Sequence, residues 1–290
     1  MMRGYLPALI TPFKNGLVDE KRFADLVEFQ IKNGTRGLVP VGTTGESPTV
    51  SYKEHERIVD ICIEAAAGRV PVIAGAGSNS TSEAIGFSEH AKKSGADATL
   101  IVTPYYNKPT QEGLKAHYLA IANAVDIPLY IYNIPGRSVI DMSCETMAEL
   151  AKHPNIVGVK DATADLTRPV TMRRLAGKDF NQLTGEDGTV LPFLAAGGHG
   201  CISVTANIAP RLCADLFEAW ENKDLEKALE LHTKLMPLHQ AMFCSTSPGP
   251  VKYAAELLGL CSAETRLPVV PIDEASRKKV EEALKMVGLI

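Results

Sequence analysis

Short apolar runs alternate with amphipathic stretches along most of this chain, and that alternation admits few folds. The runs fall at 4–10, 37–41, 70–75, 98–102, 128–132, 156–160, 180–183 and 200–204, each followed by turn-forming residues. Continuously apolar segments of this length suit parallel strands buried on both faces. The stretches between them read as helices. Residues 21–33 place Phe23, Leu26, Val27 and Ile31 near helical spacing, and Gly34 suits a helix stop. Residues 53–67 repeat the pattern with Ile58, Ile61 and Cys62, 82–93 open after Ser80-Thr81, and 111–124 and 144–151 add further helices. Eight strands alternating with helices within about 210 residues predict an α/β fold, the (β/α)8 or TIM barrel. Beyond residue 209 the patterns are helical only, at 211–221, 225–238, 251–258 and 274–287, with Pro237, Pro248, Pro250, Pro268 and Pro271 as breaks. The expected organisation is a barrel over 1–222 followed by a C-terminal helical domain over 223–290.

In a barrel of this kind the reactive groups sit at the C-terminal ends of the strands. Lys160 closes the run Ile156-Val157-Gly158-Val159-Lys160. Burial disfavours an ammonium, so a lysine placed there is either a paired charge or a free amine able to attack a carbonyl. The preceding run ends in Tyr132, a possible proton carrier, and the loop beyond it carries Arg137, whose guanidinium suits a carboxylate. Gly42-Thr43-Thr44-Gly45 has the N–H groups and hydroxyls of an anion nest. Tyr105 and Tyr106 follow the fourth run, Gly185 follows the seventh and Ile202 lies in the eighth. Each feature has a plainer reading. Lys160 could pair with Asp161 or Glu186, and Arg137 with Asp141. The tyrosines could be packing residues, and the threonine segment an ordinary turn. Gly197-Gly198-His199-Gly200 precedes a strand and reads as a tight turn rather than a phosphate cradle. Placement of all the other groups around one barrel mouth favours a site.

Composition removes several alternatives. A net charge of −4 leaves no basic footprint for nucleic acid. No apolar stretch approaches the ~20 residues of a membrane helix, and the N-terminal residues do not form a signal peptide. The six cysteines contain no Cys-x-x-Cys pair, so reduced, mostly buried thiols and a cytoplasmic location are expected. The seven histidines show no metal-binding spacing, and no metal site is expected.

Gly42-Thr43-Thr44-Gly45-Glu46-Ser47, Thr103-Pro104-Tyr105-Tyr106, Tyr132-Asn133-Ile134-Pro135-Gly136-Arg137, Gly158-Val159-Lys160-Asp161-Ala162 and Gly197-Gly198-His199-Gly200 together resemble the dihydrodipicolinate synthase family, within the pyruvate-dependent class I aldolases. The similarity spans residues 4–289. The resemblance implies a lyase that condenses pyruvate with L-aspartate-4-semialdehyde, without metal or organic cofactor, at the first committed step toward diaminopimelate and lysine. It implies that Lys160 forms the imine with pyruvate, that Thr43 and Thr44 bind its carboxylate, and that Tyr132 shuttles protons. Tyr106 would enter from the partner subunit of a tight dimer and complete a Thr43–Tyr132–Tyr106 relay. Arg137 would hold the semialdehyde carboxylate, and the backbone at Gly185 and Ile202 would line the pocket. The implied assembly is a homotetramer, a dimer of tight dimers. L-Lysine is the implied feedback inhibitor, at Ser47, His55, Asn79, Glu83 and Tyr105; Pro48 and Tyr52 depart from one common version of that cleft. The alternatives are a sibling aldolase acting on sialic acid or a keto-deoxy-sugar acid, which would not need Arg137, a non-catalytic amino-acid sensor, and a pyridoxal-phosphate barrel enzyme with Lys160 as its aldimine.

Overall fold

The computed structural model describes residues 1–290. Contacts divide the chain into two compact units, Met1–Arg3 with Val72–Ile202, and Gly4–Pro71 with Ser203–Ile290. The strands, in chain order, are β1 (Gly4–Pro7), β2 (Phe13–Lys14), β3 (Leu17–Val18), β4 (Ile73–Gly75), β5 (Ala98–Val102), β6 (Leu129–Asn133), β7 (Ile156–Asp161), β8 (Asn181–Thr184) and β9 (Gly200–Ser203).

In the first unit, β4 to β9 pair in sequence order, every pair parallel. The register sets Tyr132 beside Lys160 and Asn133 beside Asp161 on β6 and β7. Helices Thr81–Ser94, Gln111–Ala124, Cys144–Leu150, Thr167–Ala176 and Val190–Ala195 separate the strands. The core combines strand residues Ile101, Ile131, Ile156 and Val159 with helix residues Leu114, Tyr118, Ile121 and Met147. The last two helices of this unit have no counterpart in the expected set. Thr167–Ala176 buries only Pro169 and Met172, too few for a legible apolar stripe, and Val190–Ala195 buries Val190, Phe193 and Leu194 at helical spacing but is under two turns long.

In the second unit, β1 is followed by a single parallel bridge between Ala8 and Val39. The run at 37–41 was expected to be a full strand, and it is not. Pro40 has no N–H to donate, and Val41 takes a left-handed backbone with φ 52°, so the ladder stops after one bridge. A hairpin that the sequence reading lacks joins β2 to β3, with Asn15 and Gly16 both at positive φ in its two-residue turn. Asn-Gly between apolar residues is the signal that would have located it. Helices Glu20–Lys32 and Tyr52–Ala66 complete the N-terminal part, the latter opened by a Ser51–Glu54 capping box. The regular elements of the C-terminal part are all helices, Pro210–Glu221, Leu225–Ala241, Gly249–Leu257 and Glu274–Val287, with a non-helical segment at 258–273 before the last. Pro237 does not break its helix as expected. The helix runs on to Ala241 because Leu235, Leu238 and Ala241 are buried on one face, which offsets the one bond a proline removes.

Candidate active site

Lys160 and Tyr132 occupy neighbouring positions on paired strands, so their side chains rise together from the same end of the sheet. Lys160 is only 6% exposed, and its Nζ lies 4.1 Å from the centroid of the Tyr132 ring. Neither carboxylate proposed as its partner holds it. Successive strand residues point to opposite faces, which turns Asp161 away from Lys160. Asp161 accepts instead from Arg168 Nε at 2.8 Å and from the N–H of Thr163 at 2.9 Å. Glu186 caps the turn after β8 and accepts from the Gly188 N–H at 3.4 Å, and burial pushes its carboxyl above the usual range. Gly185 makes room for the amine. A Cβ there would meet Lys160 Cε at 2.9 Å and Ala162 Cβ at 2.8 Å, so any larger residue would displace the lysine.

Arg137 lies on a one-turn helix, Pro135–Ser138, and is exposed. Its expected surface partner, Asp141, is engaged elsewhere. Asn133 Nδ2 donates to Asp141 Oδ1 at 2.7 Å, and Arg168 Nη1 lies 3.4 Å from the same carboxylate. Arg168 also donates to the carbonyl of Met142 at 2.7 Å, and the Met142 N–H donates to Asn133 Oδ1 at 3.0 Å. From the other side Thr103 Oγ1 donates to Ser138 Oγ at 3.1 Å, while the Thr103 N–H donates to the Tyr132 carbonyl at 2.9 Å. The loop is thus fixed to the ends of β5, β6 and β7, and the guanidinium is left unengaged at its tip. Tyr106, by contrast, is 91% exposed and holds a left-handed backbone with φ 71°, an uncommon state for a bulky residue. Ile202 is buried within β9.

Near Tyr106, Asn79 Nδ2 donates to the Tyr105 carbonyl at 3.2 Å, and Asn107 Nδ2 donates to the Asn79 carbonyl at 2.8 Å. Glu83 accepts a short hydrogen bond from Ser78. Asn79, Glu83 and Tyr105 are therefore gathered at one end of this unit.

The second unit holds the threonine turn. The N–H groups of Gly45, Glu46 and Ser47 donate back to Gly42 and Thr43 carbonyls at 3.1–3.3 Å, a set that does not use the Thr43 and Thr44 N–H groups. Thr11 Oγ1 donates to the Gly45 carbonyl at 2.7 Å. Gly45 is required by close approach, since a Cβ would sit 3.0 Å from the Leu9 carbonyl oxygen. Thr44 is buried and Thr43 half-buried. Ser47 begins the short helical turn Ser47–Thr49, and His55 is buried in the helix that follows. Glu46 accepts from Lys252 Nζ at 2.7 Å and from the Arg266 N–H at 2.9 Å. Burial pulls the Lys252 ammonium below the ordinary lysine value, and the Glu46 carboxylate opposes that pull.

Three features escaped the sequence reading: the space left by Gly185, the Arg168 brace, and the Glu46–Lys252 pair. A signal existed only for the last, a lone lysine in the apolar run Val251-Lys252-Tyr253-Ala254-Ala255. Gly197-Gly198-His199-Gly200 is a packing turn, since a Cβ on Gly198 would lie 2.2 Å from the Phe193 ring. Burial pushes the Cys62 and Cys261 thiols up, the latter to about 11, which leaves them poor nucleophiles at neutral pH. No group of three or more His, Cys, Asp or Glu is arranged to hold a metal ion, and no helix is long and apolar enough to cross a membrane.

Comparison with known proteins bears on the same residues. The model of the dihydrodipicolinate synthetase family matches residues 1–287. The 4-hydroxy-tetrahydrodipicolinate synthase of Rhodospirillum centenum is 62% identical over 290 residues, covering all of both chains. Among solved structures, the chloride-inhibited dihydrodipicolinate synthase of Acinetobacter baumannii, complexed with pyruvate, superposes with a TM-score of 0.97 at 45% identity over the whole of both chains. The Cyanidioschyzon merolae enzyme with lysine bound gives a TM-score of 0.97 at 39% identity, covering 100% of this chain and 99% of that one. With these matches the fold class is the expected one, an α/β (β/α)8 barrel with C-terminal helices.

Proposed function

The chain belongs to the dihydrodipicolinate synthetase family, and from that premise we propose that Lys160 is the amine that captures pyruvate. The reaction is the lyase-class condensation of pyruvate with L-aspartate-4-semialdehyde to 4-hydroxy-tetrahydrodipicolinate, on the route to diaminopimelate and lysine. The observation that carries the assignment of Lys160 is its burial beside Tyr132 with neither Asp161 nor Glu186 pairing with it. The amine adds to the C2 carbonyl of pyruvate, and loss of water gives the imine. Loss of a methyl proton gives an enamine, whose carbon attacks the aldehyde. The amino group of the semialdehyde then closes the ring and displaces Lys160. The Tyr132 phenol carries the protons of these steps, and Thr43 belongs to the same relay. Thr43 and Thr44 receive the keto-acid carboxylate. Arg137, unengaged at the tip of a braced loop, holds the carboxylate of the aldehyde, and the backbone at Gly185 and Ile202 lines the pocket. Gly185 also keeps the space that Lys160 needs.

The exposure and left-handed backbone of Tyr106 favour its insertion into a partner subunit, where it joins the relay. The assembly proposed on family grounds is a tetramer of two tight dimers, in the cytoplasm, with the chain organised as a barrel over 1–222 and helices over 223–290. L-Lysine is proposed as feedback inhibitor at Ser47, His55, Asn79, Glu83 and Tyr105, supported by the gathering of the last three and by the lysine-bound relative. Titrating lysine into the assay should lower the rate; an unchanged rate would remove the inhibitor from this reading.

Borohydride reduction in the presence of pyruvate, followed by peptide mass mapping, tests the central assignment. The added mass is expected on the peptide that holds Lys160. Its appearance on another lysine, or on none, would overturn it.

A further inference from the structure

Lysine is seldom buried completely, because its charge must find a partner inside the protein. Lys252, on helix Gly249–Leu257, is 0% exposed. Its Nζ lies 4.2 Å from the centroid of the Phe13 ring and donates to Glu46 Oε1 at 2.7 Å. The second carboxylate oxygen of Glu46 accepts from the backbone N–H of Arg266 at 2.9 Å. Both oxygens of this one side chain are therefore held by the C-terminal segment, across 206 and 220 residues of sequence. Arg266 extends the contact, with its guanidinium 4.4 Å from the Phe13 centroid and bonded to the Thr49 carbonyl at 2.8 Å and to Glu54.

Glu46 is more than a surface anchor for that segment. It has a left-handed backbone, φ 57°, and five residues earlier Val41 has φ 52°. Between these two sparsely populated conformations lies Gly42-Thr43-Thr44-Gly45. A β-branched residue in the left-handed region is a genuine outlier, and such backbone persists only where the surroundings over-determine it. At the Glu46 end, main-chain bonds to Thr43 and Thr49 are joined by the Lys252 ammonium and the Arg266 N–H on the side chain.

We propose that Glu46 and Lys252 are positioning residues for pyruvate, and that the C-terminal helices set keto-acid affinity through them by holding the Thr43–Thr44 turn in its receiving conformation. The inference rests on the reading that Thr43 and Thr44 bind the pyruvate carboxylate. The side chains of the pair bond each other and the Arg266 N–H, not Thr43, Tyr132 or Lys160, so its loss should act on keto-acid affinity rather than on the imine chemistry at saturating pyruvate. A pair that only stabilises the fold would leave the affinity of the folded enzyme unchanged.

The test uses the full-length enzyme with Glu46→Gln, Glu46→Asp and Lys252→Met, each confirmed folded by its melting transition, with Thr44→Val in parallel. Pyruvate and semialdehyde are varied in turn, and borohydride trapping is titrated against pyruvate. The pair variants should raise the KM for pyruvate and the half-saturation of trapping roughly tenfold, the scale of one lost charge-assisted hydrogen bond. Trapping at saturating pyruvate, and the KM for the semialdehyde, should stay within about twofold of the parent. Glu46→Asp keeps the charge and shortens the arm by one methylene, so it should fold even where the others do not and give a smaller rise. An unchanged pyruvate KM in a folded pair variant, or equal losses for both substrates, overturns the inference. If Thr44→Val also leaves the pyruvate KM unchanged, the assignment of the threonines has failed; if it raises that KM while the pair variants do not, only the role of the pair has.

Discussion

Lys160 and Lys252 are both buried, and each sets its nitrogen over an aromatic ring, 4.1 Å from the centroid of Tyr132 and 4.2 Å from that of Phe13. They differ in the carboxylates around them. Lys252 has Glu46 at 2.7 Å, and the two form a closed buried pair. Near Lys160, Asp161 is taken by Arg168 at 2.8 Å and Glu186 caps its own turn. Burial and an aromatic neighbour therefore do not identify a nucleophile. What separates the lysine proposed as the nucleophile from the paired one is that no carboxylate holds it: Asp161 faces the other way and Glu186 caps its own turn. Arg168 acquires a role from this comparison: it engages Asp161 on the face away from Lys160 and, with Asn133, holds Asp141 away from Arg137.

The sharpest way to break the comparison is to remove each lysine in turn. Lys160→Ala should abolish borohydride trapping and lower kcat by at least about 10³-fold, the scale of losing a covalent nucleophile. Lys252→Met should still be trapped at saturating pyruvate, but it strands Glu46 in the interior. Breaking one side of a buried pair costs about 3–5 kcal/mol, which urea unfolding would read directly. Should Lys252→Met rather than Lys160→Ala abolish trapping, the two roles have been exchanged.

Gly185→Ala sharpens the contrast from the side of space. The new Cβ would meet Lys160 Cε at 2.9 Å, and Ala162 Cβ at 2.8 Å blocks retreat on the other side. With no carboxylate to fix it, the Lys160 side chain is the part that yields. A displacement of about 1 Å from a reactive geometry can cost ~10²-fold in rate. A fall in kcat of roughly 10- to 100-fold is expected, with stability lowered by less than about 2 kcal/mol. A parent-like kcat would mean that the amine does not need the position it holds.

The same contrast shows what was legible in the sequence. Lys160 could be read because its signal is local, a charge ending a run of β-branched residues, and Tyr132 and Arg137 because they end the neighbouring run and open its loop. The alternation that predicts the barrel is equally local. Lys252 could not be assigned, because its partner lies 206 residues away and Glu46 was visible only as one member of a turn motif. Adjacency even pointed the wrong way, since Asp161 is next to Lys160 in sequence but on the opposite face of the strand. The helix Thr167–Ala176 was hidden because it buries little, although it carries Arg168. The run at 37–41 looked like a full strand because apolarity does not reveal the left-handed turn at Val41.

The smallest expected effect concerns the outer layer of the Lys252 brace. Arg266 joins Glu46 to Glu54, and the guanidinium beside Glu54, with the capping bond from Ser51, lowers that carboxyl from its ordinary value to about 2. A carboxylate depressed by folding binds fewer protons in the native state than in the unfolded chain. Its contribution is therefore complete above the ordinary glutamate value near 4.5, and it is lost as pH falls from there through about 2. Both partners are partly solvated, so the contribution should be about 1 kcal/mol rather than the full worth of the shift. Glu54→Gln should thus be less stable than the parent by about that amount at pH 7, and the gap should narrow steadily below about pH 4.5. Urea unfolding of the two proteins at pH 7, 5 and 3.5 reads it. The Glu46–Lys252 pair is shielded where this outer pair is not, so added salt should shrink the Glu54→Gln difference while leaving that of Lys252→Met nearly intact. Equal salt sensitivity for the two would show that the inner pair is not closed to solvent, and with that the distinction between a sealed brace and the unpaired amine proposed as the nucleophile would lose its physical basis.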